Sequence, residues 1–342
     1  MTQGGTPTLP RKDRGSKPTQ RTIADATGFA VTTVSKALAD DPSIAKKTRD
    51  TIQKTARDLG YVPDRAAQRL RTGRTNVISL VLDPHSELLG FGSSMIEGIS
   101  EVLRPTRYHL TIMQYQLSED PLAPIDYILR NGLADGVIFA RTEPRDPRVA
   151  FLTEAEFPFI THGRTLFTDH AWYDYDNTRF AEEAVRILAD QGARSIGIVP
   201  PNPQFTFHRF MMDGFRCACQ QRGCAALVSP GLDLNDPPER IYSGLMEWLS
   251  TRDRPEALIC PGETPAMAAH AAQRDLGLEI PLLVKQTSPV FDFFRPRPLT
   301  IFEDIRAAGR EMTQALQKLI EGDAPSRQQI LAAPILSAAK IR

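Results

Sequence analysis

Two hydrophobic periods divide this chain. Through residue 60 the apolar positions recur at helical spacing over short segments: Val34, Ala37 and Leu38 fall at i, i+3 and i+4, and Ile52, Ala56 and Leu59 share one face of Thr48 to Leu59. Gly28 separates the first two segments, where a tight interhelical turn favours a residue free to adopt positive φ. Gly60 stops the third. The stripe through Val34 leaves Val31, Thr32, Ser35 and Lys36 facing outward. Small hydroxylated and methyl-bearing side chains with one Lys suit a helix that enters a DNA major groove. Residues Gln20 to Leu70 therefore predict an N-terminal all-α helix-turn-helix domain running into a short, basic hinge helix, Asp64 to Leu70. Ala66, Ala67 and Leu70 keep helical spacing there, but so short a helix is not stable alone and is expected to form on DNA.

From Asn76 onward short apolar runs alternate with amphipathic stretches. The runs predict strands at Val77–Leu82, His109–Met113, Gly136–Ala140, Pro158–Thr161, Ser195–Val199, Ala257–Cys260, Leu282–Val284 and Leu299–Phe302. Helices are expected at Ser93–Leu103, Ile125–Asn131, Thr178–Gln191, Phe207–Gln221, Pro238–Ser250, Pro265–Leu276 and Ile305–Glu321. The alternation predicts an α/β body of parallel sheets covered by helices, long enough for two subdomains with a cleft between them. Ligands in open α/β sheets bind beyond the carboxyl ends of the strands.

The net charge of zero conceals an asymmetry: residues 1–75 carry +8 and the rest of the chain −8. A basic head on an acidic body fits a nucleic-acid module attached to something kept off the phosphates. Residues 1–18 have no periodicity and read as a disordered basic tail. They lack a signal peptide's apolar core, and no apolar run approaches membrane-span length, so the chain is expected in the cytoplasm with no membrane partner. Cys217, Cys219 and Cys224 fall on or just past one helix and read as ordinary thiols; no metal and no cofactor is expected. The chain has no Gly-rich phosphate loop, no Gly-x-Ser-x-Gly elbow and no His-Glu-x-x-His, and nothing sets a nucleophile beside His162, His170 or His208. The expectation is not an enzyme, with no catalytic residues. A solute-binding receptor is the alternative; the basic head and missing signal peptide argue against it.

Gly28, Thr33-Val34-Ser35, Lys36, Leu38, Asp41-Pro42, Thr48-Arg49, Leu59-Gly60-Tyr61, Pro63 and Leu70-Arg71-Thr72-Gly73-Arg74-Thr75 stand in the order and spacing of the lactose-repressor/galactose-repressor family. The chain resembles that family onward through Asp176-Asn177, Gly214-Phe215 and Leu276-Gly277, closest to α-glucoside and other sugar-responsive members. The resemblance implies a helix-turn-helix domain at 19–62, a hinge helix and linker at 63–75, and a periplasmic-binding-protein-like body at 76–342 of two doubly wound parallel-sheet subdomains. The expected subdomains are 76–163 plus 299–322 and 164–298 plus 323–342. The implied function is a transcriptional regulator, a repressor, binding a pseudo-palindromic operator in double-stranded DNA as a homodimer (a tetramer stays open) under control of a small ligand.

The resemblance carries roles over by position. Val31, Thr32 and Lys36 would read base edges; Thr33 and Ser35 would touch the backbone, and Arg49 and Ala67 belong to the same DNA-binding set. Leu70 would wedge into the minor groove at the operator centre. Ala30 and Ala45 stand where the family usually has Ser, each removing an N-cap worth about 1 kcal/mol; Arg11, Lys12, Arg14 and Lys17 of the tail would partly replace the lost backbone affinity. In the body a carbohydrate effector is expected. Phe91 would stack on a sugar ring, and Arg164 and Arg209 would donate to vicinal hydroxyls. Thr142, His162 and Lys285 complete the expected set with Glu263, an acceptor for hydroxyls. Asp176-Asn177 is expected chiefly to start a helix.

Overall fold

The computed structural model describes residues 18–62, 73–83, 88–116 and 119–336. The chain divides into two units, Met1–Thr75 and Asn76–Arg342.

The first unit contains α1 (Gln20–Thr27), α2 (Val31–Leu38) and α3 (Lys46–Asp58). Ile23, Ala24, Val34, Ala37, Ile52 and Ala56 form its core, with Leu38, Ile44 and Tyr61 packed against it. Thr19 caps α1 reciprocally with Thr22, and Gly28 ends it in the left-handed conformation at φ 71°, as the turn requires. Neither α2 nor α3 has a side-chain cap, because Ala30 and Ala45 occupy the N-cap positions. Leu59, read from the sequence as part of the apolar face, instead caps α3 and is exposed; the helix has already ended there. The expected tail and hinge helix, with Ala67 and Leu70, lie outside the described residues.

The body comprises β1 (Val77–Leu82), α4 (Phe91–Leu103), β2 (His109–Gln114), α5 (Ala123–Asn131), β3 (Gly136–Ala140), α6 (Pro147–Glu154), β4 (Phe159–His162), β5 (Ala171–Tyr175), α7 (Asn177–Asp190), β6 (Ser195–Ile198), α8 (Thr206–Arg222), β7 (Ala225–Val228), α9 (Pro238–Ser250), β8 (Ala257–Cys260), α10 (Glu263–Asp275), β9 (Leu282–Gln286), β10 (Leu299–Phe302), α11 (Ile305–Ile320), β11 (Gln329–Ala332) and β12 (Ile335–Leu336). They build two six-stranded sheets, ordered β11-β5-β4-β3-β1-β2 and β12-β10-β9-β8-β6-β7. Every pairing is parallel except β10–β12.

The chain passes between the two lobes three times: between β5 and α7, between β10 and α11, and between β11 and β12. This corrects the expected subdomain limits. β5 belongs to the first sheet although it follows residue 164, β10 to the second although it was assigned to the first, and β11 to the first although it was assigned to the second. The cause is local: β5 (Ala-Trp-Tyr-Asp-Tyr) has no aliphatic alternation and went unread, so the first crossover was placed one strand early. α11 does pack in the first lobe, where Ile305, Ala308, Met312 and Leu316 join Met95 and Ile99 of α4. A Cβ on Gly98 would lie 2.1 Å from the Arg306 carbonyl oxygen, so this crossing exists only because glycine stands there. The edge strand β7, the short β12, and α6, whose hydrophobic face is weak, also carry too little pattern to be read.

Candidate functional site

In the first unit, Val31, Thr32 and Lys36 lie exposed on α2 while Val34 and Ala37 are buried beneath them; Thr33 and Ser35 are half-buried at its flanks. This is the face expected for base readout. Arg49 departs from expectation. Its Nη1 donates to the carbonyls of Ile44 (2.8 Å) and Asp41 (3.2 Å), and its Nε pairs with Asp40 at 3.1 Å. Arg49 therefore ties the α2–α3 loop to α3 through its Nε and Nη1.

In the body, the carboxyl ends of strands from both sheets converge on a cavity lined by residues of both lobes. Four of the seven expected effector residues line it: Phe91, Thr142, His162 and Lys285. Phe91, the first residue of α4, meets the His162 ring edge-to-face at 5.3 Å. Thr142 Oγ1 donates to the Arg164 carbonyl at 2.8 Å. His162 is half-buried, and desolvation pulls its pKa below the ordinary imidazole value. Its Nε2 lies 3.6 Å from Glu303, beyond hydrogen-bond reach, and has no hydrogen-bond partner among the described residues. Such an orphaned polar atom in a cavity wall is what a ligand hydroxyl would satisfy.

Three expected residues do not line the cavity. Arg164 turns its Nε onto Asp174 at 2.6 Å and stacks over Phe210, so its part is to hold a cavity-lining carboxylate. Arg209 points to solvent and pairs with Asp213 one helical turn away at 3.6 Å. At about 100° per residue, five residues before Gly214 lies about 140° round the helix, and the side chain falls on the outer face of α8. Glu263 is fully buried, but protein donors occupy both its oxygens. Oε1 accepts from the amides of Thr287 (2.9 Å) and Ser288 (2.7 Å) and from Ser288 Oγ (2.7 Å); Oε2 accepts from the Leu89 amide (2.9 Å) and Thr287 Oγ1 (3.2 Å). No lone pair is left for a sugar.

Several cavity residues were not in the expected set: Arg141, Asp174, Asn177, Phe207, Leu234, Pro261 and Glu303. Arg141 was visible as a charged residue at a strand end. Its partner Asp83, at 2.9 Å and as deeply buried, follows β1 directly. Burial raises the Asp83 pKa, opposed chiefly by Arg141. Arg141 adopts φ 53°, and its carbonyl accepts from Arg148 Nη2 at 2.9 Å. Arg148, buried and paired with Asp146 at 2.7 Å, also donates to Tyr115 Oη and the Ala140 carbonyl. A guanidinium outside the cavity thus fixes the backbone turn that delivers Arg141 and Thr142 into it. Asn177 corrects the helix-start reading by half: Asp176 caps α7, while Asn177 faces the cavity.

Lys285 sits between crossovers. Its Nζ is 2.8 Å from Glu303 Oε2, on the segment between β10 and α11, and 3.4 Å from Asn177 Oδ1, at the first residue of α7 just past the β5 crossover. It also lies 5.0 Å from the centre of the Tyr175 ring. Burial pushes the Asp174 carboxyl up to about 6 despite Arg164. Among the described residues no group of His, Cys, Asp and Glu is arranged to hold a metal, and none of the four cysteines is in a disulfide. Burial drives the Cys219 thiol up to about 12, which keeps it protonated. No described helix is long and apolar enough to cross a membrane.

A helix-turn-helix unit in one chain with a two-lobed, parallel-sheet body that encloses a polar cavity defines the ligand-responsive class of transcriptional regulators. The family model for bacterial regulatory proteins of the lacI family matches residues 19–64, and that for the periplasmic binding protein-like domain matches residues 185–338. The HTH-type transcriptional regulator RafR of Escherichia coli is 29% identical over 326 residues, covering 92% of this chain and 96% of RafR. Two solved structures share the fold. The transcriptional regulator CelR–cellobiose complex has a TM-score of 0.68 at 20% identity, covering 94% of this chain and 99% of CelR. The Lac repressor dimer bound to operator and the anti-inducer ONPF has a TM-score of 0.78 at 17% identity, covering 94% and 98%. The chain thus joins a lacI-family helix-turn-helix domain to a periplasmic-binding-protein-like domain. It is a transcriptional regulator and not an enzyme.

Proposed function

We propose that this regulator is a cytoplasmic, homodimeric repressor that reads a pseudo-palindromic operator through Val31, Thr32 and Lys36, and whose operator affinity is set by a neutral carbohydrate. The observation that carries the choice of ligand is the charge balance of the cavity. Its ionised side chains come in matched pairs: Asp83 with Arg141, Asp174 with Arg164, and Glu303 with Lys285. A phosphorylated sugar would bring two negative charges into a site with no spare cation among the described residues, at a large desolvation cost. A neutral polyol can instead bridge the pairs, donating to the carboxylates and accepting from Lys285, with its apolar ring face on Phe91 and Phe207. The CelR complex, which holds cellobiose, supports a sugar in this fold, and the Lac repressor dimer on operator supports the dimeric reading.

Two assays test the proposal. In a gel-shift salt series, sub-micromolar binding to one palindrome with weaker binding to a scrambled duplex is expected; only sequence-independent binding overturns the operator reading. In a thermal-shift screen, neutral mono- and disaccharides should stabilise the chain and their phosphates should not. Stabilisation by phosphates or nucleobases alone overturns the neutral-sugar reading.

A further inference from the structure

The two lobes meet in front of the cavity along two seams. At one, the Thr206 amide donates to the Thr142 carbonyl at 2.8 Å, Gln204 Nε2 donates to Glu143 Oε1 at 2.7 Å, and Arg141 lies over the Phe205 ring. At the other, the first-lobe segment Leu88–Phe91 rests on Thr287 and Ser288 of the second lobe. A Cβ on Gly90 would be 3.3 Å from Ser288 Cβ, tighter than ordinary packing, so the two backbones lie close there. That segment supplies two cavity-lining side chains, Leu88 and Phe91. Glu263, the first residue of α10, reaches across this second seam, and its Oε2 accepts from the Leu89 amide at 2.9 Å.

We propose that Glu263 is a positioning residue that latches the lobes closed over the cavity, with the Leu89 amide as its catch. Building the latch explains why the carboxylate is saturated. The four donors from Thr287 and Ser288 hold it rigidly on the second lobe, leaving one acceptor direction on Oε2 aimed across the seam. Topology explains why the latch sits here. The crossovers between β5 and α7 and between β11 and β12 leave the first lobe at the β11-β5 end of its sheet, and β1 is three strands away from β5. At strand spacing that is about 14 Å, so a hinge opening of roughly 15° carries Leu89 about 4 Å from Glu263, enough to break the bond. One charge-assisted hydrogen bond at the far edge thus decides whether Leu88 and Phe91 roof the cavity. The link to effector control rests on the function proposed above; the latch itself does not.

Hydrogen–deuterium exchange on the full-length chain without ligand tests it. In Glu263→Gln the side-chain amide would present N–H groups to N–H donors, so the latch should release. The peptide carrying the Leu89 amide is expected to exchange at least tenfold faster, while the α4–α11 core stays protected. A second variant leaves Glu263 and its donors untouched: Gly90→Leu wedges the seam open and should accelerate the same peptide. If Glu263→Gln speeds exchange only around Thr287 and Ser288, Glu263 merely shapes a second-lobe loop and the latch is refuted. If Gly90→Leu leaves the Leu89 peptide protected, the seam does not open as proposed. Both readouts stand whatever the ligand proves to be.

Discussion

Lys285 is the residue whose removal should reach furthest, because it ties the cavity to two of the chain's crossings between lobes. In Lys285→Met the stem volume is kept and only the ammonium is lost. Glu303, of which only 4% is exposed, then keeps a charge with no cation within 3 Å, and Asn177 loses its donor. Breaking a buried pair from one side costs about 3–5 kcal/mol. On a body of this size that is a fall in Tm of roughly 6–20 °C. Adding Glu303→Gln removes the stranded charge, so the double variant should recover to within about 1–2 kcal/mol of the starting protein. Urea unfolding followed by circular dichroism measures all three.

The structure also fixes how this loss varies with pH. His162 Nε2 is the next cation-forming group, 3.6 Å from Glu303, and both burial and Lys285 hold it neutral. Without Lys285 that repulsion disappears, and the imidazole's affinity for a proton in the folded state rises. A His whose folded pKa climbs contributes stability that is present at low pH and lost as pH rises. The destabilisation in Lys285→Met should therefore be smaller at pH 6 than at pH 8. A loss below 1 kcal/mol, or a double variant as unstable as the sum of the singles, would refute the claim that this pair holds the crossovers.

Three further outcomes follow from particular contacts. The folded pKa of Asp174, about 6 against an ordinary carboxyl value of 3.8, means the native state binds the extra proton between those values. Stability from this group is present below pH 3.8 and lost as pH rises through 6; comparing wild type with Asp174→Asn across pH 4–7 should show the wild type gaining, relatively, on acidification, and a flat difference would contradict it. Ala30→Ser and Ala45→Ser should each add about 1 kcal/mol to the helix-turn-helix unit by supplying the missing caps, seen as slower amide exchange in α2 and α3 of the whole chain. Gly98→Ala should cost about 3 kcal/mol or more by forcing α4 off the Arg306 backbone, and a Tm within 2 °C of wild type would show that the crossing can slide.

What was legible in the sequence follows from where the information is local. The core of the first unit and its exposed reading face were visible because helical periodicity over eight or so residues separates Val34 and Ala37 from Val31, Thr32 and Lys36. Strands β1, β3, β8 and β10 were visible as aliphatic runs. β5 was not: its alternation is carried by Trp172, Tyr173 and Tyr175 around a buried Asp174 that only Arg164, ten residues earlier, makes tolerable. The error then propagated, since placing one crossover early moved a whole strand to the wrong lobe.

The cavity divides along the same line. A residue type at a strand end is local, so Phe91, Thr142, His162 and Lys285 could be picked out by position. Which charge faces which is non-local. Lys285 and Glu303 are brought together by adjacent parallel strands, Asp83 and Arg141 by the ends of β1 and β3, and Glu263 meets Leu89 from another lobe. Arg209 and Glu263 show the two ways positional inference fails. Arg209 stands at a familiar distance from a glycine landmark, but helical phase turns it outward. Glu263 stands at the correct strand end and is buried as a ligand contact should be, but its lone pairs are already spent on five protein donors. Burial and position together therefore do not make a polar group available to a ligand. The deciding quantity is its unsatisfied hydrogen-bonding capacity, and by that measure His162, which has a buried nitrogen with no hydrogen-bond partner among the described residues, is a stronger candidate for an effector contact than either.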